Sequence, residues 1–360
     1  MCRALDAAGV ETLLATTDAD GADGRLDVET GRPVRHEGVS TTFFPRTASE
    51  SFKYAAGLRR WLDREVSGFD VVHVHAVFSF SSLGAGSACR RHRVPYVVRP
   101  LGSLDPWSLR RHRARKRMLL ALGGRRLLER AAAIHYTSVE ERRLAEGSLR
   151  HLPSGHVIPL GVDDALFGER HDGRAEAGRY VLALCRLDPK KNLELLVEAF
   201  HEAVSDPASD GWSLVIAGTG EPPYVEQLHA IARRGPARDR IRFAGWVDGD
   251  ERAQMLRRAA LFALPSHQEN FGIAVAEALA GGVPAIVTPA VNLAADICTA
   301  GAGWVAEPSR PALVRALLEG MADEPGREAR GRAARQLAER FRWPAVADRL
   351  IQLYDELRSR

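Results

Sequence analysis

In the second half of the chain, short apolar runs alternate with longer amphipathic ones. Strands are predicted over 180–185, 213–217, 241–244, 261–265 and 284–288. Helices are predicted over 193–203, 223–233, 251–259, 272–279 and 311–322, with a glycine-rich turn over 300–304. Strands that read as unbroken apolar runs between helices imply a parallel sheet covered on both faces. The first half is less regular. A helix end over 2–9 leads to a strand over 11–17, and residues 25–50 read as polar and irregular. Strands then follow over 69–75, 95–100, 132–138 and 156–162, with a helix over 81–92. Residues 163–178, with glycines among charges, read as a linker. A last helix over 343–358 has the apolar spacing Trp343, Val346, Leu350, Leu353.

A length of 360 residues favours two domains, each with its own core. Apolar content of 45% and charged content of 27% describe an ordinary soluble globular protein, and the net charge of +4 is modest. Cys2, Cys89, Cys185 and Cys298 form no C-x-x-C pair, so buried thiols in a reducing compartment are expected. With no long apolar window and no signal-peptide pattern, the expected location is the cytoplasm.

The chemistry concentrates in residues 261–289. The helix there is apolar almost all round, and Glu277 is its one charge. A carboxylate on a buried helix needs a partner, either a basic side chain or the hydroxyls of a ligand. Glu269 lies in the loop before the helix, where backbone N–H groups favour an anion. Two carboxylates beside an anion site suit a sugar nucleotide. The structural alternative is an internal ion pair for Glu277 and a helix-start charge for Glu269. Arg186 directly after the first strand of this half, with Lys191 at the start of the next helix, reads as a diphosphate clamp or as a surface pair. Gly218 and Gly220 lack the third glycine of a dinucleotide fingerprint and read as allowing close backbone approach to a nucleotide. The Asp18-Ala19-Asp20 run admits a metal reading, but its glycine-rich continuation is turn chemistry. His73 and His75 point the same way on a strand with no third ligand evident. From Arg110 to Arg130 basic residues flank the apolar block 118–122. This is a solvated helix face, or an amphipathic surface for anionic lipid or a diphosphate-linked lipid. Nothing beyond charge supports nucleic acid.

The run Glu269-Asn270-Phe271-Gly272-Ile273-Ala274-Val275-Ala276-Glu277, with Gly282-Val283-Pro284 after it, resembles the donor site of glycosyltransferase family 4. The 186–192 loop resembles that family's arginine-to-lysine diphosphate loop. The resemblance spans about residues 60–358. It implies the GT-B architecture: two Rossmann-like doubly wound domains facing a cleft, an N-terminal acceptor domain over 1–165, a donor domain over 166–340, and a last helix over 341–360 crossing back. Relatives start earlier, so the N-terminal domain is expected to lack its first strand. The resemblance implies that Glu269 contacts the transferred sugar and Glu277 the ribose hydroxyls. Arg186 and Lys191 would hold the diphosphate, and Gly218, Gly220, Val247, Asn270, Phe271 and Gly272 would line the donor site. His75, Arg99 and Gly102 would face the cleft. Relatives place a histidine or arginine near position 101, where this chain has Leu101, with Arg99 two residues earlier.

The expected activity is metal-independent, retaining transfer of a sugar from a UDP-, GDP- or ADP-sugar to a glycan or lipid-diphosphate-linked acceptor, with no cofactor. Its expected setting is surface-polysaccharide assembly on the inner face of the cell membrane. Two other readings are a sugar-nucleotide-binding subunit without turnover and another sugar-nucleotide enzyme such as an epimerase. Donor turnover separates the first, and a new glycosidic bond the second.

Overall fold

A computed structural model describes residues 1–21, 24–48, 52–168 and 179–359. The chain divides into two compact units, Leu160–Arg342 and Met1–Pro159 together with Trp343–Arg360.

The second unit is a six-stranded parallel sheet in the order Ile241–Gly245, Trp212–Ala217, Arg179–Leu184, Leu261–Leu264, Ala285–Val287, Gly303–Val305. Successive side chains on a strand point to opposite faces. Leu182, Leu184, Val215, Phe262 and Val287 therefore pack on the face carrying helix Ile273–Ala280. Val181, Ala183, Leu214, Ile216 and Ile286 pack on the other, against Leu196, Val197 and Phe200 of helix Leu193–Ala203. Both faces are dry, which is why these strands read as apolar runs. The predicted turn over 300–304 instead holds the end of helix Ala294–Ala300 and strand Gly303–Val305. Its Gly303 is held close to the neighbouring strand, where a Cβ would lie 2.0 Å from the Ala285 carbonyl oxygen. Helix Glu324–Ala338, so rich in arginine that it has no wide apolar stripe, was also outside the predicted set. Of the linker over 163–178, residues 169–178 lie outside the described residues. Leu166 and Phe167 belong to the core of this unit.

The first unit holds four parallel strands in the order Val72–His75, Tyr96–Arg99, Ala133–Tyr136, Gly155–Val157. Val74, Val98 and Ile134 face helices Ala56–Glu65 and Phe80–His92. Val97 and Ala133 face the last helix, Trp343–Arg358, through Val346, Leu350 and Leu353. The region read as irregular supplies two strands of a separate three-stranded sheet, in which the predicted strand, at Leu14–Thr17, runs parallel to Val39–Phe44, which pairs antiparallel with Pro33–His36. Thr41 and Thr42 are as buried as Phe43 and Phe44 there, so polarity alone misjudged the strand. The basic stretch is not one helix. It breaks into Pro106–Arg110, Arg113–Leu119 and Arg125–Glu129, with a wide turn between the last two in which Gly123 leaves helical geometry.

A one-way hydrogen-bond chain fixes the last helix to this sheet. The Ile158 carbonyl can only accept, so His135 donates to it from Nε2 (2.7 Å). Neutral His135 then accepts at Nδ1 from His73 Nε2 (3.2 Å), and His73 accepts at Nδ1 from the Tyr354 hydroxyl (2.7 Å). Burial, with neighbouring Arg99, pushes His135 down to about 3, and burial with the other histidines holds His73 well below its ordinary value. The folded chain thus stays unprotonated where the unfolded chain binds protons. Stability is expected to be complete above about pH 6.5 and to fall below it by about 1.4 kcal/mol per pH unit for each histidine. Urea midpoints across that range check this. Replacing both histidines by glutamine should lower the slope, leaving the part due to His75, which burial and Arg99 push down to about 4, and an unchanged slope would place the acid sensitivity elsewhere.

Candidate donor site and comparison with known proteins

The loops that leave the carboxyl ends of the second unit's strands are bonded to one another. Leu187 N donates to Thr219 O (2.8 Å) and Gly218 N to Gly245 O (2.7 Å). His267 N donates to Lys190 O (2.9 Å), Glu269 N to Ala290 O (3.0 Å) and Asn292 N to Glu269 O (3.1 Å). Side chains add to this lattice, with Asn192 Nδ2 on Pro265 O (3.3 Å) and Thr288 Oγ1 on Ser266 O (2.6 Å). The result is one connected edge, where ligands of open α/β sheets bind. Helices Leu193–Ala203 and Ile273–Ala280 both begin on it, with first-turn N–H groups directed outwards. The second starts at Gly272, whose φ of +78° suits glycine.

The predicted charges meet in pairs. Lys191 Nζ donates to Glu269 Oε2, and both side chains are mostly buried. Glu277 is buried and accepts from Arg252 of helix Gly249–Arg258 through Oε2. Burial pushes the Glu277 carboxyl up, and Arg252 pulls it back down. The need for a partner at Glu277, either a basic side chain or a ligand's hydroxyls, was legible in the sequence. Its identity was not, because Arg252, Arg257 and Arg258 share one charged helix. Arg186 is exposed and lies 3.1 Å from Asp188.

Four of the predicted donor-site residues are packed against the protein itself. Phe271 is a core residue, 3% exposed, with its ring edge-on to Phe341 at 5.5 Å. Val247 is likewise buried. Either can offer a ligand only backbone. The close approach at Gly218 and Gly220 is to the neighbouring loop, since a Cβ would lie 1.8 Å from the Cys185 carbonyl oxygen and 1.9 Å from that of Leu187. Asn270 lies between Glu269 and Phe271 and is partly buried.

At the carboxyl edge of the first unit's sheet, His75 and Arg99 are paired across adjacent strands. Arg99 is buried, and that burial lowers its guanidinium to about 10, which Glu141 opposes. Leu101 and Gly102 follow with φ of +55° and +71°. The loop is pinned by Glu141, a residue the sequence reading passed over. Its buried carboxylate accepts from Gly102 N (2.5 Å), Thr137 N (2.6 Å) and Thr137 Oγ1 (2.7 Å). Asp18 of the D-x-D run is buried and occupied internally. It accepts from Arg46 N (2.7 Å) and lies 3.7 Å from Arg25. No cluster of three metal-ligating side chains occurs among the described residues.

Two family models match, a glycosyl transferase 4-like domain over residues 1–161 and glycosyl transferases group 1 over 169–337. The chain belongs to the group 1, family 4-like glycosyltransferases. Their fold is GT-B, and both α/β units are Rossmann-like. The chain is 27% identical over 386 residues to a D-inositol 3-phosphate glycosyltransferase of Jonesia denitrificans, covering 99% of this chain and 89% of that one. It is 25% identical to a GDP-mannose:cellobiosyl-diphosphopolyprenol alpha-mannosyltransferase of Komagataeibacter xylinus, covering 93% and 84%. Among solved structures it resembles sucrose-phosphate synthase of Thermosynechococcus elongatus with a TM-score of 0.78, at 21% identity, covering 99% and 92%.

Proposed function

We propose that this glycosyltransferase takes its sugar from a nucleotide diphosphate donor bound along the carboxyl edge of the second unit, and transfers it with retention. The observation that carries this reading is the Lys191–Glu269 pair, held at the start of two helices on one bonded edge. As the diphosphate leaves, charge grows on its oxygens. Lys191, Arg186 and first-turn amides stabilise that charge in the role a metal plays elsewhere. Glu269 then holds the sugar hydroxyls and Glu277 the ribose. Undiminished turnover after chelation of divalent ions is expected, and loss of turnover would return the Asp18 region to consideration.

Thermal unfolding against UDP-, GDP-, ADP- and NAD-type ligands tests the site. A ligand at about 100 times its dissociation constant stabilises the fold by about 2.7 kcal/mol. One nucleotide diphosphate should give that shift, and Glu277→Ala should reduce it. No shift with any ligand would overturn the reading.

For the acceptor we propose a glycan or diphosphate-linked lipid in surface-polysaccharide assembly, the reading in keeping with the polyprenol-linked acceptor in the name of the Komagataeibacter relative. Met118 and Leu122 stand exposed among the arginines of 110–130, as an anionic inner-membrane surface would require. No helix among the described residues is long and apolar enough to cross a membrane. Co-sedimentation with anionic but not neutral vesicles, weakened in Met118→Glu with Leu122→Glu, is the expected result.

A further inference from the structure

Glu277 reaches a cation that neither its own helix nor the diphosphate loop supplies. Helix Gly249–Arg258 begins just past the Trp246–Val247 turn, and Arg252 extends from it to Glu277. The contact uses Oε2 alone, and Oε1 carries no hydrogen bond to any other described residue. Glu277 is 7% exposed, while Arg252 keeps about a third of its side chain in solvent. Such a carboxylate, left without its cation, would take up a proton rather than stay charged in that place. A protonated carboxyl loses acceptor capacity that an ionised one has for vicinal hydroxyls.

We infer that Arg252 is a positioning residue of the donor site, holding Glu277 ionised through Oε2 and leaving Oε1 to accept from the ribose of the nucleotide. The inference rests on the proposed donor site, and it assigns to this cation the preference for a ribose over a deoxyribose. Arg252 itself need touch no part of the ligand. Its partial exposure lets it remain charged while Glu277 stays dry.

The test compares binding of the nucleotide diphosphate that stabilises the wild-type chain with binding of its 2′-deoxy form, by calorimetry, in wild type, Arg252→Met, Arg252→Lys and Glu277→Gln. Wild type should prefer the ribo form by about tenfold, the worth of one hydrogen bond to a charged group. Arg252→Met should lose that preference at low pH and recover it at high pH, since burial and neighbouring Asp163 both favour the protonated carboxyl once the arginine is gone. Arg252→Lys should keep it at both, and Glu277→Gln should lack it at both. If Arg252→Met weakens both ligands equally and leaves their ratio unchanged, the arginine is structural and the inference fails while the donor site stands. If wild type binds a nucleotide with no ribose preference, the assignment of Glu277 fails too. If wild type binds none, both fall. Should Arg252→Met not fold, the lysine variant decides: loss of the ratio in a chain that melts like wild type would overturn the inference.

Discussion

Replacing Lys191 by alanine is expected to lower turnover about 100-fold or more and to lower the melting temperature as well, because Glu269 is left mostly buried without its cation. The fold-change is that of removing one preorganised donor to a developing oxyanion. The variant should still fold, because the helix that follows is held by Leu193, Leu196, Val197 and Phe200, all fully buried, and not by the lysine. Two effects combine in this variant. The diphosphate loses a cation, and Glu269, mostly buried, loses the group that neutralises it. A double-mutant cycle with Glu269→Gln separates them. If the residues act as a unit, the double variant should be little worse than the poorer single one, as groups in one constellation are far from additive. Purely additive losses would mean that the pair is a crossing of two independent contacts. Turnover in Lys191→Ala within about threefold of the parent would remove the lysine from the mechanism altogether.

The second unit was more legible in the sequence than the first, for a physical reason. Strands such as Leu261–Leu264 are buried on both faces, so their burial is written as an unbroken apolar run. Val39–Phe44 hides Thr41 and Thr42 inside, and no hydropathy pattern announces a buried threonine. Glu269 was visible as a lone acid before an apolar helix and Lys191 in a short charged loop before another, and the fold joined residues 78 positions apart. Arg252 and Glu141 were invisible for the opposite reason. Each lies among several like charges on a polar helix, and only the packed structure says which one turns inward.

The glycines of Gly218-Thr219-Gly220 put that contrast to a test. Their sequence suggests close backbone approach to a nucleotide, and the fold brings a neighbouring loop against the same two positions. At Gly218 the φ of +131° is one that side-chain-bearing residues rarely adopt, and the nearest obstacle to a Cβ is the carbonyl oxygen of Cys185, which is backbone and cannot swing aside. Gly218→Ala is therefore expected to destabilise the fold by about 3 kcal/mol or more, through a strained backbone and a displaced neighbour together. Because Gly218 N also bonds to Gly245 O, the displacement would pass to the turn that carries Trp246 and Val247. Chemical denaturation of the variant, with and without the stabilising nucleotide, measures both consequences. A glycine kept only for ligand approach would leave unliganded stability near the parent's and weaken binding alone. A glycine required by the loop lowers stability before any ligand is added, and that is the outcome the 1.8 Å approach demands.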